Sequence, residues 1–467
     1  MLNRDQSVSI FDKLRKLTTA DEIELLISGG RSALTRFANN TIHQNMADEE
    51  NHISVRVSFG GRTARATTNK HDDDSLRRVV QSAEALARVQ QPDPDFMPMP
   101  SPDEVQQNAA DAGAVPVQRY FDSTARLTAD DRAAGVARMV DVAKKHSLTS
   151  AGIFSSAEGC EGIFNSRGVT DWYEQTLAEV SITMIGDTSS GWQKLNATDE
   201  ERLDPARLAE IAAQKAIDSV NPRDLPPGKY TVILEPAAVL DAVGFMFWDF
   251  GGSALLEQRS FLNERIGTQL FSDKITVWDD VYHPLQAGLT FDGEGMKRHR
   301  LKLIDKGVVQ RVSFARSSAK RVDESEFAGK VGPVLPTGHG FALPNEIGEA
   351  PLNVVFEGPS AGEGQSVEKM VASTERGILV TRLWYIREVD PYEKIITGMT
   401  RDGTFLIEDG EIKCGIRNFR FNESLIHMLQ NVEAMGEPVR ASGEESMDMV
   451  APAMKIREFN FTETTKF

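Results

Sequence analysis

The sequence predicts an α+β protein in two parts. Residues 1–222 read as an N-terminal α/β domain with an antiparallel sheet and flanking helices, and residues 223–467 as a mostly antiparallel, barrel-like β domain with a few helices. Three observations predict it. A chain of 467 residues is too long for one hydrophobic core. Short β-branched runs punctuated by Gly or Asn alternate with amphipathic runs of helical period. Finally, Pro222, Pro226, Pro227 and Gly228 crowd the stretch "VNPRDLPPGKY", beyond which strands and glycine turns prevail.

The first segment reads as helix, strands, helix. "EIELLISGG", "SALTRFANN", "TIHQNMADE" and "HISVRVSFGGRTARATTN" have the Gly-Gly and Asn-Asn punctuation of a meander. "DDDSLRRVVQSAEALARVQ" is a helix opened by acids that suit its N-terminus. Residues 92–117, rich in Pro and polar groups, read as a connector or surface excursion. Val136, Met139, Val140 and Ala143 then mark one side of a helix, followed by strands in "AGIFSSAEGCEGIFNSRG" and "YEQTLAEVSITMIG" and a helix in "DPARLAEIAAQKAIDSV". The segments from His43 and from Tyr173 both run strand, Gly-containing turn, strand, acid-capped helix. This reads as a weak internal repeat, with coincidence the alternative. In the second part, "RLKLIDKGVVQRV" and "TFLIEDGEIKCGI" are two hairpins of one design, each turning on Lys-Gly or Asp-Gly.

Composition narrows the function classes. A formal charge of −17 argues against nucleic-acid binding as the main role. Cys160 and Cys414 stand far apart and form neither a disulfide framework nor a CxxC knuckle, as expected in a reducing compartment. The N-terminus lacks an apolar core of signal-peptide length, and no window approaches 18 uncharged apolar residues. The expected location is the cytosol.

The most informative stretch is "GFMFWDFGGSALL". In the helix from Ala237, the residues Val239, Ala242, Val243, Met246, Phe247 and Phe250 form one apolar face, while Asp241, Phe245, Trp248, Asp249 and Gly252 fall opposite. On the pattern alone it is a core helix whose end Gly251 and Gly252 break.

Five segments give this stretch a further meaning. "YTVILEPAAVLDAVGF", "RSFLNERIGTQLFSDKITVWDD", "FDGEGMKRHRLKLIDKGVV", "GILVTRLWYIREVDPYEKIITGMTRDGTFLIEDGEIK" and "PAMKIREFNF" occur in the order and spacing that resemble the TldD/PmbA family, the modulator of DNA gyrase proteins that include zinc metalloproteases. The resemblance covers most of the second part and, more loosely, residues 20–90. In that family's catalytic branch the helix carries His-Glu-x-x-x-His, and a Cys near the C-terminus completes the zinc site. Counting from Gly244, Trp248 stands at the first His, Asp249 at the Glu and Ser253 at the second His. Positions i and i+5 diverge by about 140° on a regular helix, so the catalytic version needs a distorted helix end. "MGEPVRASGEE", where the Cys would be expected, has none.

The resemblance therefore implies the TldE/PmbA-type subunit, with no catalytic or metal-binding residue and no cofactor of its own. It implies a heterodimer with a TldD-like partner that holds the zinc, or else a homodimer, and unfolded peptide as substrate, with no membrane or direct nucleic-acid contact. Two alternatives remain: an autonomous metallopeptidase with a non-standard zinc site, and a non-enzymatic peptide-binding adaptor. For the first, His283 and His299 lie near Asp279, Asp280, Asp292 and Glu294, although loop acids and a surface basic strand are the plainer reading. His339 lies in "PTGHGFALPN", which reads as a flexible Gly-Pro loop. These three histidines are the candidates for facing a substrate. "DTSSGW" and "SAGEGQS" show no nucleophile elbow, and "GPSAGEGQS" lacks the Lys-Ser/Thr ending of a phosphate loop.

Overall fold

The computed structural model describes residues 1–109, 117–360 and 362–465. The N-terminal half is built on one antiparallel sheet. Its strands are β1 (Glu22–Ala38), β2 (Thr41–Phe59), β3 (Arg62–Thr68), β4 (Thr149–Asn165), β5 (Thr170–Ile185) and β6 (Ser190–Ala197), in the order β3-β2-β1-β4-β5-β6. Each half of the sheet is one unit of helix, three strands, helix. Helices Arg4–Leu17 and Asp73–Val89 accompany β1 to β3; helices Ala129–Lys145 and Pro205–Asp218 accompany β4 to β6.

Strand alternation decides which face the helices cover. Ile23, Leu25 and Ile27 pack with Leu76 and Val80, and Val180 and Ile182 with Met139 and Ala212. All four helices thus lie on one face. The opposite face carries Glu24, Arg56, Arg65 and Trp192 toward the C-terminal half. Glu24 is buried between Arg56 at 2.8 Å and Arg65 at 2.6 Å, and Arg65 Nε donates to the Leu343 carbonyl at 2.6 Å.

Two expectations are corrected here. Gly29-Gly30 is not a turn but the middle of the single strand β1, and "TIHQNMADE" runs on into "HISVRVSFGG" as β2. A Cβ on Gly30 would sit 2.5 Å from the Glu158 carbonyl, so glycine is there because β4 approaches closely. Asn39 and Asn40 do make the turn, at φ 51° and 58°. The expected connector is also more than a surface excursion. Met99 is buried, and Val105 packs with Val169 and Met296. Residues 110–116 of that stretch lie outside the described residues.

The C-terminal half contains two sheets. β7 (Gly228–Leu234), β12 (Arg376–Asp390), β13 (Ile395–Glu408), β15 (Phe419–Ser424) and β19 (Met454–Thr464) form a ring in the order β12-β7-β19-β15-β13, closed by β12 pairing β13. β14 (Glu411–Gly415) and β16 (Val432–Met435) extend it. The second sheet runs β10-β9-β8-β11-β18-β17, from β8 (Val277–Asp279), β9 (Leu301–Asp305), β10 (Val308–Val309), β11 (Val354–Phe356), β17 (Val439–Ala441) and β18 (Met449–Ala451). The expected α+β class with a barrel-like C-terminal part is what the chain forms. Both expected hairpins are present, turning on left-handed Lys306-Gly307 and Asp409-Gly410, although they sit in different sheets. Among the described residues no helix is long and apolar enough to cross a membrane.

Candidate functional site

β7 ends at Leu234, and Pro236 opens the helix Pro236–Val243, whose Ala238 to Val243 are all buried. Beyond Gly244 the backbone tightens into a 3-10 turn, Gly244–Asp249, then leaves helical geometry at Gly251 and re-enters it over Gly252–Leu256. Ser313 fills the break: its amide and hydroxyl donate to the Phe250 carbonyl at 2.8 and 2.9 Å, and its carbonyl accepts the Gly252 amide at 3.0 Å. A Cβ on Gly252 would lie 2.6 Å from the Phe314 ring, so this close crossing requires glycine.

Asp241, opposite the apolar face of the helix, is fully buried because the C-terminal segment crosses the helix there. Asp241 Oδ1 accepts the amides of Glu444 and Glu445 at 3.1 Å each, and burial pushes the carboxyl up to about 7. The crossing brings "MGEPVRASGEE" onto the helix. A groove of about 400 Å³ is lined by Gly244, Phe245, Trp248, Glu444, Glu445, Ser446 and Met447. Glu445 is held by the β12 amides of Tyr385 at 2.8 Å and Ile386 at 3.2 Å.

Each position aligned with the zinc motif has another engagement. Trp248 is 43% exposed, its ring stacked on Phe341 at 6.4 Å. Asp249 meets Lys394 Nζ at 2.8 Å, and Lys394 also holds Glu388 at 2.5 Å. Burial pushes the Asp249 carboxyl up against the opposing pull of Lys394. The Ser253 amide and hydroxyl donate to buried Glu349 at 2.7 and 3.1 Å. Burial also raises Glu349.

This donor set does not fit zinc. The Trp248 indole offers an N–H and no lone pair, Asp249 already faces an ammonium, and Ser253 is committed to Glu349. Residues 435–447 contain no thiol. Among the described residues, no three His, Cys, Asp or Glu side chains are placed to share a metal ion.

The three histidine candidates lie outside helices and strands, and none is freely exposed. His339 is sealed, its side chain 0% exposed, with Nε2 3.0 Å from Asp279 and Nδ1 2.9 Å from Thr337 Oγ1. Burial and the nearby Arg298 hold it below the ordinary histidine value. His299 is buried and contacts the Asn108 carbonyl. His283 is half-buried, and its Nδ1 accepts the Leu285 amide at 3.2 Å.

Two of the acids near them cap turns, Asp280 accepting the Tyr282 amide and Asp292 the amides of Glu294 and Met296, each at 2.9 Å. Asp279 pairs with Arg298 at 2.8 Å; although burial works the other way, Arg298 and His339 hold its carboxyl well below the usual range. Asp292 and Glu294 are buried and pushed up, by burial and, for Asp292, by the charge of Glu294. Asp280 pairs with Arg300 at 3.0 Å. Beside the turn Tyr282–Gln286, Arg119 Nη2 donates to the carbonyls of Val281 and His283 at 2.8 and 3.0 Å. Glu349 and Lys394 were not singled out in the sequence, because the contacts that tie them to this site, with Ser253 and Asp249, span more than 90 residues.

Three family models match the chain: PmbA/TldA metallopeptidase domain 1 over residues 23–87, the central domain over 122–220 and the C-terminal domain over 227–463. Metalloprotease PmbA of Escherichia coli O157:H7 is 22% identical over 454 residues, covering 93% of this chain and 91% of its own length. A Metalloprotease PmbA homolog of Haemophilus influenzae is 21% identical over 466 residues, covering 93% and 94%. The crystal structure of TldE from Thermococcus kodakarensis superposes with a TM-score of 0.84 at 19% identity, covering 98% of this chain and 99% of that one. That last likeness is one of fold.

Proposed function

The chain belongs to the PmbA/TldA metallopeptidase family, and from that premise we propose that it is the non-zinc, TldE/PmbA-like subunit of a heteromeric cytosolic metalloprotease acting on unfolded peptides. The zinc belongs to a TldD-like partner in this reading. The observation that carries it is the occupancy of the family's metal seat. The broken helix and the C-terminal segment still converge on one groove, but of the three aligned residues only Trp248 lines it, while Asp249 turns to Lys394 and Ser253 to Glu349.

Asp249 and Ser253 are tied up inside the fold, and only Trp248 shapes the surface. Trp248 gives the groove an exposed aromatic wall, and Glu444 and Met447 give it an open rim. The Asp241 carboxylate and the Glu445 anchor hold that rim against the helix and β12. An aromatic, half-exposed anchor in a rigid setting suits a partner-contact position.

The test is co-expression with a paralogue carrying His-Glu-x-x-x-His. The expected result is a stable complex that cleaves an unfolded polypeptide, loses activity to a chelator, and has no activity from this chain alone. Full peptidase activity of the isolated chain, with one zinc bound per chain, would overturn the reading.

A further inference from the structure

A second groove, away from the metal seat, lies between two sheet edges. β6 is the last strand of the N-terminal sheet and β17 the last strand of the second C-terminal sheet. The groove between them, about 610 Å³, has an apolar floor that includes Leu195, Leu208, Ile211, Pro236, Leu285 and Val439. Ile211 and Val439 are 36% and 45% exposed, so the floor is open to solvent. An open strand edge beside an apolar floor is the geometry that accepts an extended chain.

The parity of β6 sets which main-chain groups look into this space. The Ser190 carbonyl accepts the Ser219 hydroxyl at 3.1 Å and the Trp192 carbonyl accepts Lys215 Nζ at 3.4 Å, both from the side away from β5. In a strand every second residue points its N–H and C=O the same way. Lys194 and Asn196 therefore turn theirs outward along the groove. Their side chains leave the space free: Lys194 Nζ donates to the Gly443 carbonyl at 3.0 Å, and Asn196 Nδ2 to Ser442 at 3.1 Å and Asp448 at 2.7 Å. Arg440 of β17 bonds Asn196 Oδ1 at 2.5 Å, which fixes the separation of the two edges.

The charge in the groove is opposite to that of the molecule. The chain carries −17, yet Arg202 and Arg207 are exposed at the groove and form no ion pair among the described residues. The lining acids are engaged: Asp204 accepts the Arg207 amide at 3.1 Å as a helix cap, and Glu235 pairs with Lys215 at 2.7 Å. Two free guanidiniums at the end of a β edge favour a carboxylate, bound in the forked geometry that arginine supplies.

We propose that this groove binds an extended apolar peptide segment as an added strand on β6, with a carboxylate of the segment seated at Arg202 and Arg207. The inference deepens the peptide-handling reading above and rests on it. Residues 193–197 line the groove, which gives room for about five residues or about 17 Å of extended chain. The carboxylate is either an acidic side chain or the free C-terminus.

The test is fluorescence anisotropy on the full chain with three labelled eight-residue peptides of one Val/Thr/Ile-rich sequence. One has a free C-terminal carboxylate, one is amidated with a single terminal Glu, and one is amidated and neutral. The first or second is expected to bind at least about tenfold more tightly than the third, and whichever does so identifies the carboxylate's source. The Arg202→Glu/Arg207→Glu variant is expected to remove that preference while its affinity for the neutral peptide and its melting temperature stay unchanged. N-methylation of alternate peptide amides is expected to abolish binding in one register and spare the other.

Equal affinity for all three peptides, a preference that survives the arginine variant, or indifference to N-methylation would overturn the proposal. Assembly and cleavage with the zinc-bearing paralogue are measured on the same preparations. If the complex forms and cleaves while these peptide results fail, the groove assignment falls and the subunit reading stands. If the peptide results hold and no complex forms, the reverse follows.

Discussion

Asp249 and Lys394 face each other at 2.8 Å across the end of the broken helix, and Lys394 is 3% exposed. The resemblance places the catalytic glutamate at Asp249, and here that acid is half of an ion pair. Its environment is dry enough that the carboxyl rises despite its cation. Lys394 also holds Glu388, and thereby ties the β12–β13 hairpin tip to the helix end.

Lys394→Met therefore leaves two acids without their cation, one of them largely buried. The expected loss is about 3 kcal/mol, typical of removing one partner of a buried pair. Urea unfolding at pH 7 checks it. Because Asp249 is already displaced upward, the loss shrinks as pH falls and the carboxyl takes a proton. A variant as stable as the parent would mean that the pair contributes nothing.

Asp241 makes a pH prediction whose sign is fixed by its direction of shift. The folded carboxyl titrates at about 7, whereas an unfolded aspartate titrates near about 3.9. Between those values the folded state binds the extra proton, so this group makes stability fall as pH rises from about 4 to about 7 and level off above. Asp241→Asn keeps an acceptor for the Glu444 and Glu445 amides and removes the titration. The variant is expected to gain on the parent by a few kcal/mol between pH 5 and pH 8. Parallel stability curves for the two proteins would show that Asp241 does not titrate in this range.

Local signals were well read in this chain, and long-range ones were not. Asp409-Gly410 and Lys306-Gly307 announce their hairpins because a left-handed turn is written in two adjacent residues. Gly251-Gly252 marks the helix break for another reason, an extended Gly251 and the close approach of Phe314 to Gly252. Gly29-Gly30 misleads because glycine serves equally for a turn and for two strands in close approach, and only the position of Glu158 distinguishes them. The burial of Asp241 is invisible on a helical wheel because the segment that covers it lies about 200 residues downstream. His339 looked mobile between Gly338 and Gly340, yet Asp279 and Thr337 enclose it. The aligned positions 248, 249 and 253 were legible only through the family's order of segments, and their partners Lys394 and Glu349 only in the fold.

Asp279 is expected to be among the most costly side chains to remove. It is fully buried, paired with Arg298 and His339, and accepts the Asn353 amide at 2.8 Å. Asp279→Ala leaves the buried Arg298 without its carboxylate, and about 3–5 kcal/mol of stability is expected to go with it at pH 7. The folded carboxyl lies well below the unfolded value, so its contribution is present above about pH 4 and is lost as pH falls below that. Guanidinium unfolding at pH 7 and at pH 3.5 checks both statements, the gap between parent and variant narrowing at the lower pH.

Trp248 separates stability from assembly. Its ring is 43% exposed and touches the fold mainly through Phe341, so Trp248→Ala is expected to cost less than about 1 kcal/mol of stability. Under the subunit reading the same ring meets the partner, where truncating an aromatic anchor typically costs about 2 kcal/mol, or roughly thirtyfold in affinity. Titration of the zinc-bearing paralogue against the parent and the variant measures the second quantity, and thermal unfolding of the isolated chain the first. Trp248→Phe keeps a ring on Phe341 and is expected to recover most of the affinity. A variant that melts normally and assembles as tightly as the parent would leave the ring with no part in the interface.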